Sequence, residues 1–176
     1  MKNILAAIAL FSVSFMHAQS FSGSGDQKVQ IGANFQNNAT GINVSYDYGL
    51  GENMSIGFTS SYALGIPSEL KEDRYVAGVK VQDKASFTDR FDLKARFNAN
   101  IGNVLNIDEN FDLYPGLNLG LKNFGSHLGA RYFFSNGFGI YSELNLPIAK
   151  YNTDKLTAAE KIHNQFTVNA GVVFNL

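Results

Sequence analysis

The chain has 176 residues with 17 glycines, 15 phenylalanines and 8 tyrosines, three prolines, no cysteine, no tryptophan and a formal charge of −1. That length fits one domain, and the near-neutral balance excludes an electrostatic draw toward nucleic acid. Absence of cysteine excludes a disulfide framework and lipid attachment through an N-terminal cysteine, and the glycine-rich, aromatic composition suits strands.

Residues 1–19 read as a secretory signal peptide. Lys2 supplies the positive charge, Ile4 to Phe15 the apolar run, and Ala18 the small residue before a cut near Gln19. The apolar run is too short to cross a hydrocarbon core of about 30 Å, which argues against an uncleaved transmembrane helix. Its removal leaves thirteen basic against fifteen acidic residues, net −2. In the remaining domain, 20–176, no window approaches the roughly 18 consecutive apolar residues of a transmembrane helix. A closed sheet is the other way to span, because all its backbone groups pair and no edge meets lipid.

Eight segments alternate apolar and polar residues with the period of a strand. The first, Gln27 to Gln36, sets Val29, Ile31, Ala33 and Phe35 against Lys28, Gln30, Gly32 and Asn34. The second, Gly41 to Tyr48, sets Ile42, Val44, Tyr46 and Tyr48 against Asn43, Ser45 and Asp47, and a turn at 49–53 leads to the third, Met54 to Leu64. After a long polar stretch, 65–90, the fourth alternates Phe91, Leu93, Ala95, Phe97 and Ala99 with Asp92, Lys94, Arg96 and Asn98. The fifth, Phe111 to Leu121, carries Asp112 and Tyr114 on its polar face and Pro115 on its apolar one. The sixth, His127 to Phe134, and the seventh, Phe138 to Ile148, are joined by Ser135-Asn136-Gly137, whose Asn-Gly pair favours a tight hairpin. In the eighth, Gln165 to Leu176, Phe166, Val168, Ala170, Val172, Phe174 and Leu176 share one face.

No Asp, Glu, Lys or Arg falls on the apolar faces, where Ser60 and Ser142 are the polar exceptions. The opposite faces carry Lys28, Lys94, Arg96 and Arg131 against Asp47, Asp92, Asp112 and Glu143, a matched charge network among Gly, Ser and Asn. An eight-stranded barrel has an interior just wide enough to be filled by side chains. Glycines and paired charges suit that interior, and a charge-free exterior suits acyl chains, where one Lys or Arg at midplane costs roughly 2–4 kcal/mol. The expected fold is therefore all-β, an eight-stranded antiparallel up-and-down transmembrane β-barrel. Tyr46, Tyr48, Phe111, Phe134, Phe138 and Phe174 at one end, and Phe35, Tyr62 and Phe166 at the other, are the expected aromatic girdles. A soluble lipocalin-like carrier, with the apolar face inside, is the competing fold.

With both termini on one side, connections at 37–40, 65–90, 122–126 and 149–164 face the other side and include the two longest, as extracellular loops would. The turns at 49–53 and 135–137 are short, whereas 100–110 is long for its side, and some of its residues are expected to extend the fourth and fifth strands. Tyr75, Ala77, Val79 and Val81 alternate within the large loop and suggest an extra β-ribbon.

The stretches YDYGLGENMSIGFTSSYALG, FDLYPGLNLGLK, HLGARYFFSNGFGIYSELNLP and FTVNAGVVFNL resemble the small outer-membrane barrels of Gram-negative bacteria, the OmpA, OmpX and OmpW-like group. The resemblance implies a location in the outer membrane. It also implies contact with outer-membrane lipid and insertion by the outer-membrane assembly machinery, which reads the apolar last strand. That strand ends here on Leu176 in place of the usual Phe, with Phe174 two places earlier.

No phosphate-binding loop, HExxH, nucleophile elbow or EF-hand spacing occurs, so no cofactor, metal or catalytic residue is expected. Ser126-His127 is a candidate rim pair for a lipid hydrolase or acyltransferase, but adjacent strand residues point to opposite faces. Glu69, Glu72 and Asp73 are candidates to hold calcium or to bridge lipopolysaccharide through cations, but they lack the EF-hand spacing and read as a solvated charged loop. The reading that follows is a non-enzymatic structural or interaction barrel. Its filled lumen leaves the loops at 65–90 and 149–164 to meet an extracellular or membrane protein partner, and a narrow passive channel is the alternative.

Overall fold

Strand alternation closes on itself in the computed structural model, which describes residues 20–82, 84–135, 137–151 and 157–176. In chain order the strands are β1 (Gln27–Gln36), β2 (Ala39–Gly51), β3 (Met54–Gly65), β4 (Arg74–Val76), β5 (Val79–Gln82), β6 (Phe91–Ala99), β7 (Phe111–Gly120), β8 (Asn123–Ser135), β9 (Phe138–Lys150) and β10 (Thr167–Asn175). All but β4 and β5 form one closed eight-stranded barrel in which every strand pairs antiparallel with its neighbours along the chain and β1 pairs with β10. The closing ladder runs from Lys28↔Asn175 to Gln36↔Thr167, and the Leu176 N–H extends it by donating to the Gln27 carbonyl at 3.0 Å. The predicted signal peptide, Asn136 of the predicted Asn-Gly turn and residues 152–156 of the last long connection lie outside the described residues.

The up-and-down barrel is the fold expected from the alternation, with differences in detail, among them β2, which runs from Ala39 to Gly51 in place of the expected Gly41 to Tyr48. Strand β8 begins at Asn123, four residues before the expected His127, and β10 at Thr167. More substantially, 100–110 does not extend β6 or β7. It folds into a short helix, α2 (Gly102–Leu105), closed by Asn106 in the left-handed region at φ 49°. The reason is Pro115. The β6–β7 ladder stops at Asn98↔Gly116, next to the proline that has no N–H to donate toward β6. Beyond it the chain leaves the sheet, and the Ile101 N–H reaches the Leu113 carbonyl at 2.8 Å.

Strands β4 and β5 form the expected ribbon, a hairpin turning at Ala77 and Gly78, both at positive φ. Before β6, the one-turn helix α1 (Phe87–Arg90) carries a capping box between Ser86 and Asp89. Ala39, Ala63, Ile66, Leu70, Ala159 and Ile162 make a small apolar core where the two long connections meet the barrel mouth.

The pleat sends charge inward. Lys28 and Arg131 are each 1% exposed, whereas Ile31 is 48% and Leu128 46% exposed on the outer wall. At the end holding both termini, Tyr132, Phe134, Phe138 and Phe174 form a chain of ring contacts with centroids 5.6, 6.5 and 5.6 Å apart. At the opposite mouth Phe87 packs between Tyr62 and Phe91 at 5.4 and 5.5 Å.

Candidate functional site: the closed lumen

The lumen is organised around two arginines. Arg96 on β6 places Nε 3.1 Å from Asp47 Oδ1 on β2 and Nη2 2.9 Å from Glu143 Oε2 on β9. Arg131 on β8 is ion-paired with Asp47 Oδ2 and lies 3.3 Å from Asp112 Oδ2 on β7. Asp47 thus bridges both guanidiniums, and the Tyr114 ring from β7 lies 3.8 Å from the Arg131 guanidinium and 5.5 Å from that of Arg96. The Tyr114 hydroxyl accepts from Gln30 Nε2 at 2.9 Å, and Gln30 Oε1 accepts from Ser45. Such a cluster is tolerable away from water because every charge has an opposite partner in contact.

Small residues make the room. A Cβ at Gly129 would overlap the Tyr114 ring, and one at Gly116 would overlap the His127 imidazole. Gly129 and Gly116 are therefore sockets for the large side chains reaching across from neighbouring strands.

All eight charged residues singled out in the sequence face the lumen, but they form three groups rather than one network. Asp47, Arg96, Asp112, Arg131 and Glu143 make the central cluster. Lys28 pairs with Asp26 at 2.6 Å, and Lys94 with Asp92 at 3.6 Å nearer the opposite mouth, where Lys94 also reaches Asn123 Oδ1 at 3.0 Å. Asp26 escaped the sequence reading because it precedes β1. Its position two residues before Lys28, hence on the same face, was the available signal. Phe166 and Leu176 are exposed on the outer face, and Val168, Ala170, Val172 and Phe174 are half-buried on it.

Both mouths are stopped. At the termini end, Ser20 donates to the Phe111 carbonyl at 3.0 Å, while Phe21 and Phe133 flank the Lys28 ammonium at 5.7 and 5.1 Å. At the other end His163, in the connection after β9, turns into the barrel. Its Nε2–H donates to the Arg90 carbonyl at 2.7 Å, and Nδ1 accepts from Gln36 Nε2 at 3.2 Å. Burial holds the His163 imidazole well below its usual range, at about 4, with Lys122 and Lys94 adding to the effect against the hydrogen bond to Arg90. Lys122 itself is lowered by burial, and its ammonium donates to the Asp89 carbonyl at 2.6 Å. Below this cap, amides and hydroxyls including Asn43–Thr59 at 2.9 Å and Asn34–Asn169 at 2.6 Å leave a cavity of about 20 Å³, room for about one water.

Ser126 and His127 are separated by the barrel wall. His127 faces the lumen below the mouth, donating Nε2–H to Asn98 Oδ1 at 2.7 Å. In the charged loop, Asp73 lies 3.3 Å from Lys80 and accepts the Lys84 N–H at 2.9 Å, a bond that holds its carboxyl below the usual range. Among the described residues no group of three His, Asp or Glu side chains is placed to hold a metal ion.

No curated protein matches the sequence. Among solved structures, the chain is similar to the solution structure of Outer Membrane Protein G from Pseudomonas aeruginosa. The match has 9% identity and a TM-score of 0.46, and covers 89% of this chain and 99% of that one. The model described as "Family of unknown function (DUF6646)" matches residues 11–176, and the chain belongs to that family.

Proposed function

We propose that this chain is an outer-membrane β-barrel with a closed lumen, acting as a structural or interaction protein through the loops opposite its termini. The observation that carries the reading is the inversion of the wall. Side chains such as Ile31, Val44, Leu128 and Leu144 lie on the outside, 42–48% exposed, while paired ions fill the inside. Water gives that exterior no partner, and a hydrocarbon layer does. The aromatic chains at both ends are placed to sit at the two headgroup levels.

The closed lumen is supported by the Asp47-Arg96-Arg131-Glu143 cluster and by the stoppers at both mouths. A grouping with the OmpA, OmpX and OmpW-like barrels, and insertion by the assembly machinery reading Phe166 to Leu176, accord with the glycine and aromatic pattern and with the outward apolar face of β10. Heat-dependent gel migration of the membrane-extracted protein and single-channel recording in planar bilayers test the two parts. The expected results are a faster-migrating unheated form and no steady conductance. A reproducible conductance step overturns the closed lumen, and a mature protein that stays dissolved without detergent overturns the membrane reading.

A further inference from the structure

The two long connections do more than cover the mouth, because they hold a second, larger cavity of about 270 Å³ between them. Its apolar wall is Pro67, Leu70 and Ile162, the last two belonging to the small core that fixes both connections to the barrel. Its polar wall includes Arg74 and Lys161. Among the described residues neither cation has a side-chain hydrogen bond or ion pair, and Glu69 is the one carboxylate among the lining residues. The supports are locally hydrogen-bonded. The 3₁₀ turn Ser68–Leu70 forms one side, and on the other Thr157 and Glu160 cap each other, with Glu160 Oε2 accepting from Thr157 N at 2.8 Å.

A preformed hollow with an apolar floor and two unpaired cations at its edge has one complementary ligand chemistry: a short apolar body ending in a single anionic group. We propose that this cavity, formed by Leu70, Arg74, Lys161 and Ile162, binds small amphipathic anions, carboxylates or phosphate monoesters. The site stands whether or not the lumen conducts, since none of its residues belongs to the ion cluster.

The test is a fluorine NMR titration of the mature protein in lipid nanodiscs with para-fluorophenylacetate and para-fluorophenyl phosphate, against empty nanodiscs. The neutral para-fluorophenylacetamide, and inorganic phosphate read by its displacement of the fluorinated anions, are the comparison probes. Saturable binding of at least one organic anion is expected, weakened roughly tenfold in the amide and in the double variant Arg74→Gln, Lys161→Gln. Ala158→Phe, at an exposed position lining the cavity, fills the hollow without touching its charges and is expected to abolish binding. Unchanged heat-dependent migration shows that each variant keeps the barrel. Absence of saturable binding of both organic anions overturns the proposal, as does equal affinity for the amide or for inorganic phosphate, or binding indifferent to Ala158→Phe. A protein that conducts ions yet binds these probes sinks the closed lumen and leaves this site standing.

Discussion

Removing Asp47 and removing Arg131 should have unequal consequences, and the inequality can be worked from the charges. Together the central cluster and the Lys28–Asp26 pair hold Asp26, Asp47, Asp112 and Glu143 against Lys28, Arg96 and Arg131, four anions facing three cations. Asp47→Asn brings the set to three against three. Each guanidinium keeps one carboxylate, Glu143 at 2.9 Å from Arg96 and Asp112 at 3.3 Å from Arg131. Arg131→Gln instead leaves four anions with two cations and strips the Tyr114 ring of its closest cation. Breaking a buried pair by deleting one partner costs about 3–5 kcal/mol. We expect Arg131→Gln near the top of that range and Asp47→Asn near or below its bottom, about 2–3 kcal/mol, because its change relieves excess negative charge. Equilibrium urea unfolding in phospholipid vesicles reads both, with equal slopes as the sign that compactness is unchanged. The charge-counting argument is refuted if Asp47→Asn costs more than Arg131→Gln, or if Arg131→Gln costs under about 1 kcal/mol.

Three further outcomes are expected. Leu128 lies near the middle of β8 on the outer wall, so Leu128→Arg should cost about 2–4 kcal/mol in vesicle unfolding, and a negligible change would place this face in water rather than lipid. Gly129→Ala should cost roughly 1–3 kcal/mol by pressing on the Tyr114 ring, and the double variant with Tyr114→Ala should recover part of that loss; strict additivity would show that the two do not compete for one space. Because the folded-state pKa of His163 is pushed down to about 4 from an ordinary 6.5, the opened cap binds a proton that the closed cap refuses. Cap stability is therefore full above about pH 6.5 and falls by up to about 1.4 kcal/mol per pH unit as pH drops toward 4. Hydrogen exchange at the bonded Ile162 and Asn164 amides should follow that window, and His163→Gln should flatten it; protection that stays constant from pH 7 to 4 contradicts the assignment.

The barrel was legible in the chain because alternation is a local property. A strand shows its two faces every second residue, so the absence of charge on one face and the matched charge on the other are both readable from residue order. Parity places Lys28, Asp47, Asp92, Lys94, Arg96, Asp112, Arg131 and Glu143 on one face, and the glycines and balanced charges there mark it as the interior. Partner choice does not. Asp47 and Arg131 are 84 residues apart and meet only because strand tilt and register set their heights in a closed cylinder. Parity cannot separate the Asp92–Lys94 pair from the central cluster, nor bring Asp26 from outside β1 to Lys28.

Pro115 marks the same boundary. Residue order identifies a missing donor, but only the placement of β6 decides that the ladder ends there and that 100–110 must turn into a helix instead of lengthening two strands. The long connections lie furthest from what order can say. Outside the β4–β5 ribbon their residues have no strand period, and the cap, the apolar core and the hollow exist only where two distant segments meet. By itself the sequence determined which strand residues share a face, since that depends on counting by two, and the glycines and matched charges of one face marked it as the interior. Tertiary structure decided which groups touch across the lumen and above it, since those contacts depend on closure, tilt and the folding of loops in three dimensions.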